Sequence, residues 1–418
     1  MTVIADRPGF DRLPAYALFA AVLASAGLPL YIHAPKFYVD TYGVSLAALG
    51  SVLFGLRLLD VVQDPLLGRI AQRLRHRRAV SVAVAMGCLA LGMVGLFAVT
   101  PPVAPLWWFA LTLTLVFSAF SFLTICFYAQ GVEKAGQLGP NGHLAVARWR
   151  ETGALAGVCV AAIAPVVLGR ASETPYALFA LGFVGLCMAG GVAMAREWIG
   201  TGVVSEPGGF ARVLGDKVAR RLLGVALVNA APVAVSSTLF LFFVETRLDA
   251  PGLEGVLLLA FFLSAALAAP VWTKLAEALG MQRVLFGAMF LSIAAFSLAL
   301  MLGPGDWLVF TLICVISGAA LGADMTILPA LFSARMAKVD PSASEAFGLW
   351  SFVSKFTLAL AAVTLLPALD AVGFSGGPSH TNTPQALWAL SLLYAGVPCI
   401  LKAVAIGLLA TIKLEEDR

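Results

Sequence analysis

Residues 64–78 read DPLLGRIAQRLRHRR, and residues 269–283 read APVWTKLAEALGMQR, so one pattern occurs twice in the chain. The two stretches align without gaps, with Pro65 aligned to Pro270, and both end with an arginine. The offset between the two prolines is close to half of the 418 residues. Because each stretch joins an apolar run to a basic loop, we expect two consecutive repeats with the same order of elements.

The composition excludes water-soluble and disordered proteins. Apolar residues make up 60% of the chain and charged residues 12%, and the mean hydropathy is +0.93. Soluble domains contain about twice this share of charged residues, roughly 25%. The net charge of +4 does not indicate a nucleic-acid partner, because the basic residues lie in short loops between apolar runs. A membrane protein with several spans is expected, and the lipid bilayer is its first partner.

Twelve apolar runs are long enough to cross a bilayer as helices, which takes about 20 residues each. They lie near 15–39, 46–68, 80–100, 105–130, 145–168, 176–196, 221–244, 253–273, 283–302, 307–334, 344–368 and 386–410. We therefore predict an N-terminal six-helix bundle with a cation site (1–196), a linker (197–220) and a C-terminal six-helix bundle (221–418).

The predicted fold is an all-α polytopic membrane protein with two parallel six-helix repeats. This arrangement resembles the major facilitator transporters, whose substrate site lies between the halves near the bilayer midplane. One set of alternate loops holds 21 of the 27 lysines and arginines. The positive-inside rule then predicts that both termini and the linker are cytoplasmic. We expect a monomer in a bacterial-type inner (plasma) membrane.

Charged residues within the predicted spans mark the candidate site, because each costs roughly 3 kcal/mol at the bilayer centre. The second span holds Arg57, Asp60 and Asp64, whose spacings of three and four place them on one helix face. In the matching span of the second half, the two acids are replaced by Ala265 and Ala269. Since only one repeat carries the acids, we attribute them to chemistry rather than to the scaffold.

Two interpretations of these charges remain open. With Lys355 in the eleventh span, the group could form a neutral buried network that only joins helices. Alternatively, the carboxylates bind Na⁺ or take up a proton, and Lys355 competes for them when the site is empty. Asp324, in the tenth span, either contacts the substrate or has a structural role, capping the break near Pro329 or pairing with a basic loop residue.

The second span and its flanks resemble the glycoside–pentoside–hexuronide:cation symporter family, which includes the melibiose permease. Residues 37–45 read FYVDTYGVS, and residues 60–68 read DVVQDPLLG before the basic loop. The resemblance implies that Asp60 and Asp64 hold the coupling cation, with Lys355 nearby. It also implies that Arg148, in ARWRETGALAG, contacts the substrate.

The chain departs from this family where sugars are recognised. An aspartate of the first helix is absent, and Ala24 or Ser25 occupies that region. An acid of the fourth helix is replaced by Thr124, while Ser121 retains a hydroxyl near the cation site. Gln63 replaces the asparagine between the two acids. Galactoside transport is therefore not expected, and Na⁺ and H⁺ remain alternative coupling ions.

The predicted function is cation-coupled symport of a small polar organic solute, sugar-like or anionic. The residues predicted to bind the cation are Asp60, Asp64, Ser121 and Gln63. Charge coupling is assigned to Lys355 and Arg57. The residues predicted to bind the solute are Arg148, Thr124, Tyr128, Trp350 and Asp324. No cofactor beyond the coupling ion is expected. Enzymatic activity is not expected either, because no nucleophile–base or metal-binding set appears.

Two alternatives come from other functional classes. One is a copper importer of the same superfamily, although no two of the ten methionines are three or four residues apart. His33 is the only histidine within a span, and soft-metal ligation needs several converging ligands. The other is a non-transporting factor that delivers a cofactor or pigment.

Overall fold

The computed structural model describes residues 12–139, 141–198, 209–339, 343–374 and 382–412. Every regular element in these ranges is helical, which confirms the predicted all-α class. The helices of the first half are α1 (Leu13–Ser25), α2 (Leu28–Tyr42), α3 (Leu46–Arg73), α4 (Arg78–Phe97), α5 (Pro105–Gln137), α6 (Gly142–Leu168) and α7 (Pro175–Met194).

The second half begins with the short helix α8 and continues with seven more. They are α8 (Gly209–Gly215), α9 (Lys217–Phe242), α10 (Glu254–Leu279), α11 (Met281–Ser297), α12 (Trp307–Val339), α13 (Ser344–Ala371), α14 (Pro384–Ser391) and α15 (Val397–Ala410). Each of the twelve predicted spans coincides with a helix or with two consecutive helices. By length and composition, eight helical segments in the described ranges could cross a membrane.

Two predicted spans are interrupted, and the local sequence explains why. The first divides into α1 and α2 at Ala26 and Gly27, where glycine has a low helix propensity and Pro29 donates no backbone N–H. The last divides into α14 and α15 at a π-helical turn, Leu392–Gly396. Pro398 is the second residue after this turn, and the extra residue of a π turn accommodates the missing hydrogen bond.

Contacts between Cα atoms divide the chain into two units. The first comprises Met1–Val213 and Ser333–Ser351, and the second comprises Leu214–Phe332 and Phe352–Arg418. The division after Val213 falls within the predicted linker. The segment Ser333–Ser351, which the sequence placed in the C-terminal bundle, groups with the first unit.

In the first unit, α1 and α6 pack closely because α6 presents two glycines to α1. A Cβ atom on Gly153 would lie 2.0 Å from the carbonyl oxygen of Ala17, and one on Gly157 would lie 2.5 Å from that of Ala21. Glycines four residues apart allow this backbone approach between membrane helices.

The second unit repeats this packing between α12 and α10. A Cβ atom on Gly318 would lie 2.2 Å from the carbonyl oxygen of Phe261, and one on Gly322 would lie 2.6 Å from that of Ala265. In both units, therefore, two glycines four residues apart allow the close packing of a helix pair.

Candidate cation and solute site

The two acids of α3 are both buried in the first unit. Asp60 is 3% exposed and Asp64 is fully buried. They lie four residues apart on one helix, so their side chains occupy the same face, as the sequence predicted. Burying two carboxylates in an apolar helix is costly and calls for specific partners.

Asp60 is held by a chain of neutral hydrogen bonds that reaches α5. The amide of Gln63 donates from Nε2 to Oδ1 of Asp60 over 2.7 Å, and the hydroxyl of Ser118 donates to Oε1 of Gln63 over 2.9 Å. Ser121, the predicted hydroxyl, is buried one turn further along α5. Sequence reasoning missed Ser118, although its spacing of three from Ser121 was a usable signal.

Asp64 is held from α13. The hydroxyl of Ser351 donates to Oδ2 of Asp64 over 2.5 Å. This contact is possible because α3 and α13 cross at two glycines: a Cβ atom on Gly68 would lie 3.2 Å from Cα of Gly348. Sequence reasoning missed Ser351, which precedes Lys355 by one helical turn.

The predicted charge-coupling residues lie on α3 and α13. Arg57 is half-buried on α3, one turn before Asp60. Lys355 is half-buried on α13 and belongs to the second unit. The competition between Lys355 and a bound cation therefore stays a prediction.

Three of the predicted solute residues lie in the first unit on α5 and α13. Thr124 and Tyr128 lie one turn apart on α5, and the buried hydroxyl of Thr124 has no hydrogen-bond partner in the described part of the chain. The ring of Tyr128 lies 5.0 Å from that of Phe347, measured between centroids. Trp350 is half-buried on α13, three residues further along.

The arginine that contacts Tyr128 is Arg150, two residues after Arg148, whose predicted contact with the solute stays a prediction. Its guanidinium carbon lies 3.9 Å from the ring centroid, and its Nε donates to Oε1 of Glu151 over 2.8 Å. Both charged residues are buried, whereas Arg148 is only half-buried. Arg148, Arg150 and Glu151 all lie in the motif ARWRETGALAG. The sequence analysis assigned only Arg148 to the solute, on the family resemblance.

Asp324 lies on α12 in the second unit. It is 7% exposed and forms an ion pair with Lys402 on α15. Lys402 also donates to Oδ1 of Asn229 on α9 over 2.7 Å. This pairing corrects one predicted role for Asp324, because its basic partner comes from a helix and not from a loop. Sequence reasoning missed Lys402 and Asn229.

Some charges that sequence reasoning placed in loops are buried in the first unit. Lys134 pairs with Glu197 over 3.1 Å, and Arg78 pairs with Glu133 over 2.7 Å. Lys134 and Arg78 are almost fully buried. The described residues contain no group of three or more His, Cys, Asp or Glu side chains that could hold a metal ion.

Two solved structures have similar folds at low sequence identity. A bacterial homologue of the iron transporter ferroportin, in an outward-facing state, has a TM-score of 0.70 at 13% identity, covering 95% of this chain and 99% of its own. A variant of the E. coli fucose:proton symporter FucP has a TM-score of 0.63 at 13% identity, covering 95% and 98%. No curated protein matches the chain.

A family model described as MFS/sugar transport protein matches residues 14–416, nearly the whole chain. The helical fold, the apolar segments and the similar structures agree with this match. The chain therefore belongs to the MFS/sugar transport family and is a multi-pass membrane transporter of the major facilitator fold, not an enzyme.

Proposed function

We propose that this transporter couples the movement of Na⁺ or H⁺ to the symport of a small polar organic solute, as in the glycoside–pentoside–hexuronide:cation family. The observation that carries the proposal is the pair of buried carboxylates, Asp60 and Asp64, one turn apart on α3. Carboxylate and hydroxyl oxygens are the ligands that hard cations prefer. A proton would satisfy the same acids, because burial disfavours two adjacent negative charges.

The hydrogen bonds around the pair support a site of fixed geometry. Gln63 orients Asp60 from the same helix, and Ser351 orients Asp64 from α13. A cation bound between the acids would therefore be linked to the packing of α13 on α3. Solute residues on α5, Thr124 and Tyr128, follow Ser118 and Ser121 on the same helix, so one element carries both groups.

The experiment is uptake into liposomes with a Na⁺ gradient or a proton gradient imposed separately. The first solute panel holds L-fucose, because the fold is shared with a fucose:proton symporter, together with other neutral and anionic monosaccharides. Solutes that stabilise the purified protein thermally enter the uptake assay. Melibiose is included as a solute that we expect not to accumulate.

Three variants on α3, one of them a control, and one on α13 test the roles of the residues. Asp60→Asn and Asp64→Asn should abolish accumulation, while Val62→Ala, on the exposed side of the same helix, should not. Lys355→Ala should lower the cation concentration that gives half-maximal uptake, because a competing positive charge is removed. Counterflow of solute also separates a carrier from a non-transporting cofactor-delivery factor, which would show none.

A further inference from the structure

The second unit contains a cleft that the proposed cation site does not use. Its empty volume is about 450 Å³, including the part open to solvent. Helices α9, α10, α11, α12 and α15 contribute its walls. Asp324 and Lys402 line it, and no other lining residue carries a formal charge.

The hydrogen bonds of this charge pair are incomplete. Oδ2 of Asp324 accepts from Lys402, but its buried Oδ1 has no hydrogen-bond partner among the described residues. Lys402 has three N–H donors, and the described part of the chain supplies acceptors for two of them, on Asp324 and Asn229. An unsatisfied buried carboxylate oxygen is unfavourable, so a ligand that donates a hydrogen bond to it is favoured.

The remaining walls of the cleft are apolar and aromatic with isolated hydroxyls. Phe261 and Phe296 supply aromatic rings, and three serines supply hydroxyl groups: Ser236, Ser292 and Ser317. Aromatic faces with a few placed polar groups are typical of small-molecule sites. The two formal charges cancel, so an ionic ligand would bring an uncompensated charge into a low-dielectric site.

We propose that this cleft is a binding site for an uncharged polar molecule, which donates a hydrogen bond to Asp324 and accepts one from Lys402. One hydroxyl group can do both, as can the adjacent N–H and C=O groups of a cyclic amide. The site contains neither Asp60 nor Asp64, so it is independent of the proposed cation site, and it gives Asp324 a ligand of stated chemistry.

Cys399 makes the cleft accessible to experiment, because it lines the cleft and is a free, half-buried thiol. A chain that retains only this cysteine is purified in detergent and treated with three methanethiosulfonates. These carry an uncharged hydroxyethyl, a cationic trimethylammonium-ethyl or an anionic sulfonatoethyl group. Each rate is divided by the rate of the same reagent with a free thiol in water.

The uncharged reagent should modify Cys399 about tenfold faster than either charged one, because a charge is disfavoured in the cleft. Asp324→Asn leaves Lys402 unbalanced and should shift the preference toward the anionic reagent. Lys402→Met should shift it toward the cationic reagent. The double variant Asp324→Asn/Lys402→Met is neutral again and should restore the original order, even if the single variants fold poorly.

A chain that retains only Cys88, a half-buried thiol in the first unit, is the control. Its rates should not respond to the substitutions at Asp324 and Lys402. The proposal is overturned if no reagent modifies Cys399 in the folded chain, or if the order of rates is the same in all four chains. Because the assay does not measure uptake, failure of the symport proposal would not affect its result.

Discussion

The hydroxyl of Ser351 donates a 2.5 Å hydrogen bond to the buried carboxylate of Asp64, although 287 positions separate the two residues in the chain. The contact depends on the crossing of α3 and α13 at Gly68 and Gly348, where the absence of side chains lets the two backbones approach closely. Close packing and the orientation of one acid are therefore consequences of the same two glycines.

Removal of the Ser351 hydroxyl should weaken cation binding at Asp64. A hydrogen bond to a charged group contributes about 1.5–3 kcal/mol, so Ser351→Ala should raise the half-maximal cation concentration for uptake by about tenfold or more. Thr364→Val is the matched control, since the hydroxyl of Thr364 bonds only to carbonyls of its own helix. Equal cation dependence in both variants would show that Ser351 does not orient the site.

A methyl group at the helix crossing should destabilise the first unit. Gly68→Ala places Cβ against backbone atoms of α13, which cannot rotate away, and should cost about 1–3 kcal/mol. Gly55→Ala, more than three turns away on α3, meets open space and should be neutral or stabilising by up to about 1 kcal/mol. Thermal unfolding in detergent compares them, and an unchanged melting temperature for Gly68→Ala would argue against the close crossing.

The two arginines of α6 should respond differently to substitution. Arg150→Gln leaves Glu151 buried without its ion pair, which costs about 3–5 kcal/mol, and should lower the melting temperature strongly. Arg148→Gln should leave the melting temperature unchanged and reduce solute affinity, as its proposed role requires. The prediction for α6 is wrong if Arg148→Gln unfolds the protein and Arg150→Gln does not.

The helices of this protein were predictable because hydropathy marks long membrane spans strongly. All twelve predicted spans correspond to helices, and the repeat around Pro65 and Pro270 predicts two groups of six. Breaks within spans were not predicted, because Gly27 and Pro398 are single residues whose effect depends on local backbone geometry. The close packing of helices at Gly153 and Gly318 could not be predicted from the sequence either, because it depends on which helices are neighbours in the fold.

The candidate site was predictable in its charges but not in its neutral partners. Asp60 and Asp64 stand out because acids are rare in apolar runs. Ser118 and Ser351 do not stand out, since serine is common in spans and its importance comes only from its neighbour in space. Lys402 was missed for a different reason: its partners, Asp324 and Asn229, lie 78 and 173 positions away in the chain.

Orientation in the membrane can be tested with cysteines placed in two loops. Ser205, which lies outside the described residues, belongs to the linker predicted to be cytoplasmic. Glu173 is exposed in the loop between α6 and α7, on the opposite side by the predicted topology. In intact cells, an impermeant maleimide should label Glu173→Cys but not Ser205→Cys, in chains without native cysteines. The reverse pattern would invert the topology.

The most direct test of the central claim is solute accumulation against a gradient by Asp60→Asn and Asp64→Asn in liposomes. If the two acids hold the coupling cation, both variants lose cation-driven accumulation, and downhill counterflow of the same solute partly survives because the solute residues are intact. If both variants accumulate solute to the level of the unaltered protein under the same Na⁺ or proton gradient, the acids are structural and the coupling mechanism is wrong.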